Sequence, residues 1–159
     1  METFLSDGVE IAYVDFEPLT EDRGEPIVLV HGFASTHAVN WLFTQWVKTL
    51  TEDGRRVIVF DNRGHGRSAK LYDPAQYSLD LMAADIVHLL DHLSIPRADV
   101  MGYSLGGRIG TVLALAAPER VRSLILGGIG ENLIEGPGLG RSCAEARRCR
   151  DMRGSDETT

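Results

Sequence analysis

Ala98-Asp99-Val100-Met101-Gly102-Tyr103-Ser104-Leu105-Gly106-Gly107 decides the fold. A short apolar run enters a serine set between Gly102 and Gly106, and a helix-forming stretch, Leu105 to Ala117, follows at once. The G-x-S-x-G spacing at a strand-to-helix turn has a steric origin. The serine turns so sharply that residues two positions either side press on neighbouring backbone, where only glycine, lacking Cβ, fits. The turn lifts the Ser104 hydroxyl above the sheet edge, beside the free N–H groups of a helix start, which favour negative charge.

Working back from the elbow, Ile27-Val28-Leu29-Val30 and Val57-Ile58-Val59-Phe60 are continuous apolar runs, the pattern of strands buried on both faces. With Ala98–Met101 and Val121–Leu126 they give four buried strands. Val9 to Phe16 alternates apolar and polar residues as a half-buried strand does, and Thr3 to Ser6 is its expected hairpin partner across Asp7-Gly8. Between the strands, Asn40 to Leu50 is predicted as one helix with an apolar face of Trp41, Phe43, Trp46, Val47 and Leu50. Leu79 to Leu93 is predicted as a second, capped by Ser78 with Asp80 in its first turn. Pro118 closes the elbow helix. Buried strands alternating with helices predict an α/β fold, a doubly wound, mostly parallel sheet, whose ligands bind beyond the carboxyl ends of the strands. Three loops gather there: His31-Gly32-Phe33, Asp61 to Ser68, and the elbow.

The chain has 159 residues and a formal net charge of −7, which disfavours nucleic acid as a partner. No apolar run reaches the ~20 residues of a membrane span, and Met1-Glu2-Thr3-Phe4 lacks the basic start and apolar stretch of a signal peptide; the expected compartment is the cytoplasm. From about Leu139 the character changes. Five of the 16 basic residues but only four of the 23 acidic ones follow Gly140, and Met152 is the one large apolar residue beyond Leu139. Residues 1–138 are therefore expected to form the folded part and 139–159 a tail foreign to it, as a shifted or truncated reading frame would leave. Val121–Leu126 would then be a buried-type strand at a sheet edge, an aggregation hazard. Cys143 and Cys149 lie in the tail, so no disulfide holds the core.

These residues together resemble the α/β-hydrolase superfamily. His31-Gly32-Phe33 after a strand resembles its oxyanion loop, Asp61-Asn62-Arg63-Gly64-His65-Gly66-Arg67-Ser68 is similar to its D-x-R-G-x-G-x-S loop, and Gly102 to Gly107 looks like its nucleophile elbow. The resemblance runs from about Val9 to Gly128 and implies the N-terminal portion of such a domain. It implies Ser104 as nucleophile, an oxyanion hole from the N–H groups of Phe33 and Leu105, supporting roles for His31, Gly32, Gly102 and Gly106, and no cofactor or metal. The implied partner is a small-molecule ester or related acyl substrate; carbon–carbon bond hydrolysis and perhydrolysis are alternatives on the same scaffold. The family's acid and histidine follow the serine in the order Ser…Asp/Glu…His, and no histidine follows Ser104 here. An impaired chain that binds a ligand, or acylates without turnover, is the reading from another class.

Other candidates have blander readings. His31 and His65 are expected to hold loop shape, His37 could face the pocket, and His88 and His92 are expected on a solvated helix face. Asp61 is expected to bind N–H groups of its own loop. Phe33 and Tyr103 are candidate walls of a substrate pocket, and Glu131 a loop carboxylate.

Overall fold

In this computed structural model, which describes residues 1–130, six strands form one mixed sheet in the order β1-β2-β4-β3-β5-β6. They are β1 (Glu2–Ser6), β2 (Val9–Phe16), β3 (Ile27–Val30), β4 (Val57–Phe60), β5 (Ala98–Tyr103) and β6 (Val121–Gly127). β1 and β2 are an antiparallel hairpin turning at Asp7 and Gly8, both at positive φ. β2 joins β4 antiparallel, while β4, β3, β5 and β6 run parallel. The apolar runs of β3 and β4 are buried at every position, as strands covered on both faces must be.

Two apolar layers sandwich the sheet. On one face α2 (Leu79–His92) and α3 (Leu105–Ala116) bury Met82, Ile86, Leu89, Leu90, Ile109 and Leu113 against Val28, Val30, Ile58 and Val100. On the other, Trp41 and Val47 pack on Ile27, Leu29, Val57 and Val59. Ser78 caps α2 as predicted, its hydroxyl accepting from the Leu81 N–H.

The single helix predicted over Asn40–Leu50 is instead two pieces. A π-helical turn covers Ala38–Leu42, and α1 (Trp46–Glu52) starts afresh after Gln45, which sits at φ 68°. Breaking the phase turns Phe43 and Trp46 outward, 75% and 43% exposed, while Trp41 stays buried. β6 is also less buried than predicted: Ile125 and Leu126 are 43% and 42% exposed, because among the described residues it is the last strand at its edge. No helix among them is long and apolar enough to cross a membrane. The expected tail, with Glu131, Cys143 and Cys149, lies outside the described residues.

The chain leaves β3 for β4 on one side, then returns to β5 on the other. That reversal opens a crevice at the carboxyl ends of β3 and β5, with Val30 beside Gly102 in register.

Candidate active site

Ser104 occupies φ 53°, ψ −113° between β5 and α3, a conformation that costs a non-glycine residue about 1–3 kcal/mol. Main-chain bonds hold it there. The Ser104 N–H donates to the Gly127 carbonyl at 2.9 Å, and its own carbonyl accepts from Gly107 and Arg108 at 3.0 and 3.2 Å. Its tolerance depends on the flanking glycines. A Cβ at Gly102 would lie 2.3 Å from the Gly106 carbonyl oxygen, and one at Gly106 would lie 2.0 Å from the Val30 carbonyl oxygen.

The loop after β3 lies directly against this bend: a Cβ on Gly32 would meet the Ser104 Cβ at 3.5 Å. Side chains from elsewhere hold this loop. The Gly32 N–H donates to Asn40 Oδ1 at 2.8 Å and the Ala34 N–H to His65 Nε2 at 3.3 Å. Between them, the Phe33 N–H has no partner among the described residues, and neither does the Leu105 N–H at the first position of α3.

His31 is fully buried and spans two loops. Its Nδ1–H donates to the Gly32 carbonyl at 2.8 Å, and its Nε2 accepts the Asn62 N–H at 2.9 Å. Both ring nitrogens are committed, so the imidazole is locked as one neutral tautomer. Burial pushes its pKa down to about 4, outweighing the Gly32 hydrogen bond, which favours the charged form. The folded state thus resists a proton that an unfolded histidine takes up near pH 6.5. Between those pH values the unfolded chain binds more protons, so stability falls as pH drops from 6.5 toward 4. The expected loss approaches about 3 kcal/mol. Urea unfolding at pH 7 and pH 5 checks the slope, which His31→Gln should flatten.

Asp61, 1% exposed, collects bonds from two loops rather than only its own. The His37 N–H, the His37 Nδ1–H and the Arg67 N–H reach it at 2.9, 2.8 and 2.9 Å. Burial pushes its pKa up, but these donors more than reverse that and hold the carboxyl down at about 2. Within this arrangement His37, a candidate for facing the pocket, is tied to Asp61 by its ring.

Of the two histidines expected on a solvated helix face, His92 is exposed and His88 half-buried. The hairpin lies over α2, so His88 Nδ1–H donates to the Ser6 hydroxyl at 2.8 Å, while His92 stacks on Phe4 and meets the Tyr13 hydroxyl at 3.0 Å. Phe33, a candidate pocket wall, is not among the residues that line the cavity beside the elbow. It is 77% exposed, edge-on to His65 at 6.0 Å. The cavity beside the elbow, about 440 Å³, is lined by Tyr103, Trp41, Trp46, Met101, Gly102 and Gly127 among others. Asn40 is the residue of the site that sequence reading missed. A polar side chain nine positions after His31 has no local signature; only the folded loop reveals it as an acceptor.

A sequence model described as alpha/beta hydrolase fold matches residues 25–148. The chain belongs to the alpha/beta hydrolase fold family. It is 41% identical over 103 residues to a putative carbamate hydrolase of Variovorax paradoxus, covering 65% of this chain and 37% of that one. It is 38% identical over 136 residues to 2-hydroxymuconate semialdehyde hydrolase of a Pseudomonas strain, covering 81% and 47%. A probable hydrolytic enzyme from Pseudomonas aeruginosa superposes with a TM-score of 0.69 at 35% identity, covering 79% of this chain and 39% of that one. This alpha/beta hydrolase chain thus spans less than half the length of these relatives.

Proposed function

We propose that the domain to which this chain belongs hydrolyses a small ester or related acyl substrate through Ser104. The observation that carries the reading is the strained serine at the crevice, with two N–H groups, Phe33 and Leu105, that have no partner among the described residues, at the loop and helix that flank it. In this reading the Ser104 hydroxyl oxygen attacks the acyl carbon and the alcohol leaves, giving an acyl-serine that water then cleaves. The negative charge on the former carbonyl oxygen meets the Phe33 and Leu105 N–H groups only in the tetrahedral intermediate, so they lower the barrier rather than merely bind substrate. His31 shapes the loops and takes no proton at neutral pH, because it is buried and both its nitrogens are occupied.

The 159 residues hold no histidine after Ser104, so no group in the family's usual place takes the hydroxyl proton. Loss of a triad base costs on the order of 10⁶ in rate. This chain by itself is therefore expected to acylate slowly at Ser104 and to turn over little. With p-nitrophenyl acetate, intact mass should show an acetyl group on the wild-type chain and none on Ser104→Ala, with negligible steady-state release. Fast turnover that survives Ser104→Ala would refute the assignment. Carbon–carbon bond hydrolysis is the second reading, favoured by the 81% coverage of this chain in the match to 2-hydroxymuconate semialdehyde hydrolase.

A further inference from the structure

The loop bearing Phe33 is held at its tip by a titratable group. Ala34 takes φ 52°, a left-handed conformation that a residue with a Cβ adopts only where its surroundings enforce it. Its N–H donates to His65 Nε2 at 3.3 Å. His65 can accept there because its other nitrogen, as Nδ1–H, donates to the Arg63 carbonyl at 3.0 Å, which fixes the tautomer with a lone pair on Nε2. The Phe33 ring lies edge-on to the imidazole at 6.0 Å, and His31 at 5.2 Å from below.

We propose that His65 is a positioning residue whose neutral Nε2 holds the Ala34 N–H and thereby aims the neighbouring Phe33 N–H at the crevice. The inference rests on the reading of the Phe33 N–H as an oxyanion donor. Protonation of His65 would place a second N–H opposite that of Ala34, turning an attraction into a repulsion and releasing the strained tip. The titratable and charged groups around His65 are His31, 5.2 Å away ring to ring, the bonded Asp61–His37 pair, Arg67 on its own loop, and Lys70, whose ammonium donates to the neighbouring Gly66 carbonyl at 2.6 Å; the Arg63 guanidinium is directed away, onto Asp85. Neutral His31 adds no charge above its pKa of about 4. Glutamine at position 65 can offer an oxygen near the place of Nε2 and cannot be protonated, whereas leucine offers none.

Two readouts test this on the 159-residue chain. The first is the Ala34 amide resonance between pH 8 and pH 5. It should move with the midpoint at which the His65 ring titrates, and stay still in His65→Gln. The second is the rate at which a fluorophosphonate labels Ser104. His65→Leu should slow labelling by roughly 10²-fold, and His65→Gln should restore most of that loss. The wild-type rate should fall more steeply below the His65 midpoint than the His65→Gln rate. An Ala34 resonance indifferent to His65, or equal pH profiles for wild type and His65→Gln, would overturn the proposal. A wild-type chain that takes no label at pH 7.5 would refute Ser104 as nucleophile, and the Ala34 resonance alone would then decide for or against the His65 clamp.

Discussion

Asp85→Ala is expected to lose a large share of the stability of the fold. Arg63 and Asp85 are 2% and 1% exposed and form a two-pronged ion pair, Nε to Oδ2 at 2.8 Å and Nη2 to Oδ1 at 2.7 Å. The pair ties three elements. Arg63 belongs to the loop after β4 and also donates to the Gln76 carbonyl at 2.9 Å; Asp85 belongs to α2 and accepts the Ser6 hydroxyl of β1. Removing the carboxylate leaves a guanidinium in the core with no counter-charge. Breaking a buried pair in this way costs about 3–5 kcal/mol, a large share of a domain stability of about 5–15 kcal/mol. The urea midpoint should fall by on the order of 2 M. Replacing both partners by apolar residues, as in Arg63→Met with Asp85→Leu, should recover most of the loss, because the cost lies in the orphaned charge rather than in the absent bond. If the single variant unfolds at the wild-type midpoint, the pair is not what fastens α2 to that loop.

Gly106→Ala is the second large effect, and it separates the elbow from ordinary helix chemistry. On helix propensity alone, alanine should stabilise α3 by about 1 kcal/mol. At this position the new Cβ would stand 2.0 Å from the Val30 carbonyl oxygen and 2.9 Å from that of His31. Both are backbone atoms of β3 and its loop, so neither can rotate away. The helix must back off the sheet, taking the Leu105 N–H with it. A net loss of at least about 1–3 kcal/mol is expected from the overpacking, together with loss of Ser104 acylation. Gly110→Ala, one turn later, meets only side-chain atoms, the end of Leu124 at 2.9 Å and Val100 at an ordinary 3.4 Å, and should be nearly neutral. Thermal melts of the two variants side by side give the comparison; equal effects would mean that the close approach at Gly106 is not what shapes the bend.

Much of this was written in local sequence. Apolar runs of four residues announced β3 and β4, the 3.6-residue spacing of Met82, Ile86, Leu89 and Leu90 announced α2, and Gly102 and Gly106 announced the elbow. What escaped was set by long-range contact. Nothing in Phe43-Thr44-Gln45-Trp46 signals a break, since it holds neither glycine nor proline; the left-handed Gln45 stands between Trp41 and Val47, which pack in the same apolar cluster. His88 and His92 have helical spacing that suits a wet face, and only the hairpin laid over them makes them partners of Ser6 and Tyr13. The same holds at the site. His31 and the glycines are motif residues, while the hold of Asn40 on Gly32 and of His37 on Asp61 spans loops that local pattern does not connect.

The central claim is that Ser104 is the reactive serine of this crevice, and exhaustive treatment with a fluorophosphonate followed by peptide mapping tests it most directly. A nucleophile raised on this bend should give one adduct, on Ser104, absent from Ser104→Ala. An unmodified Ser104, with label absent or spread over other serines, would contradict it.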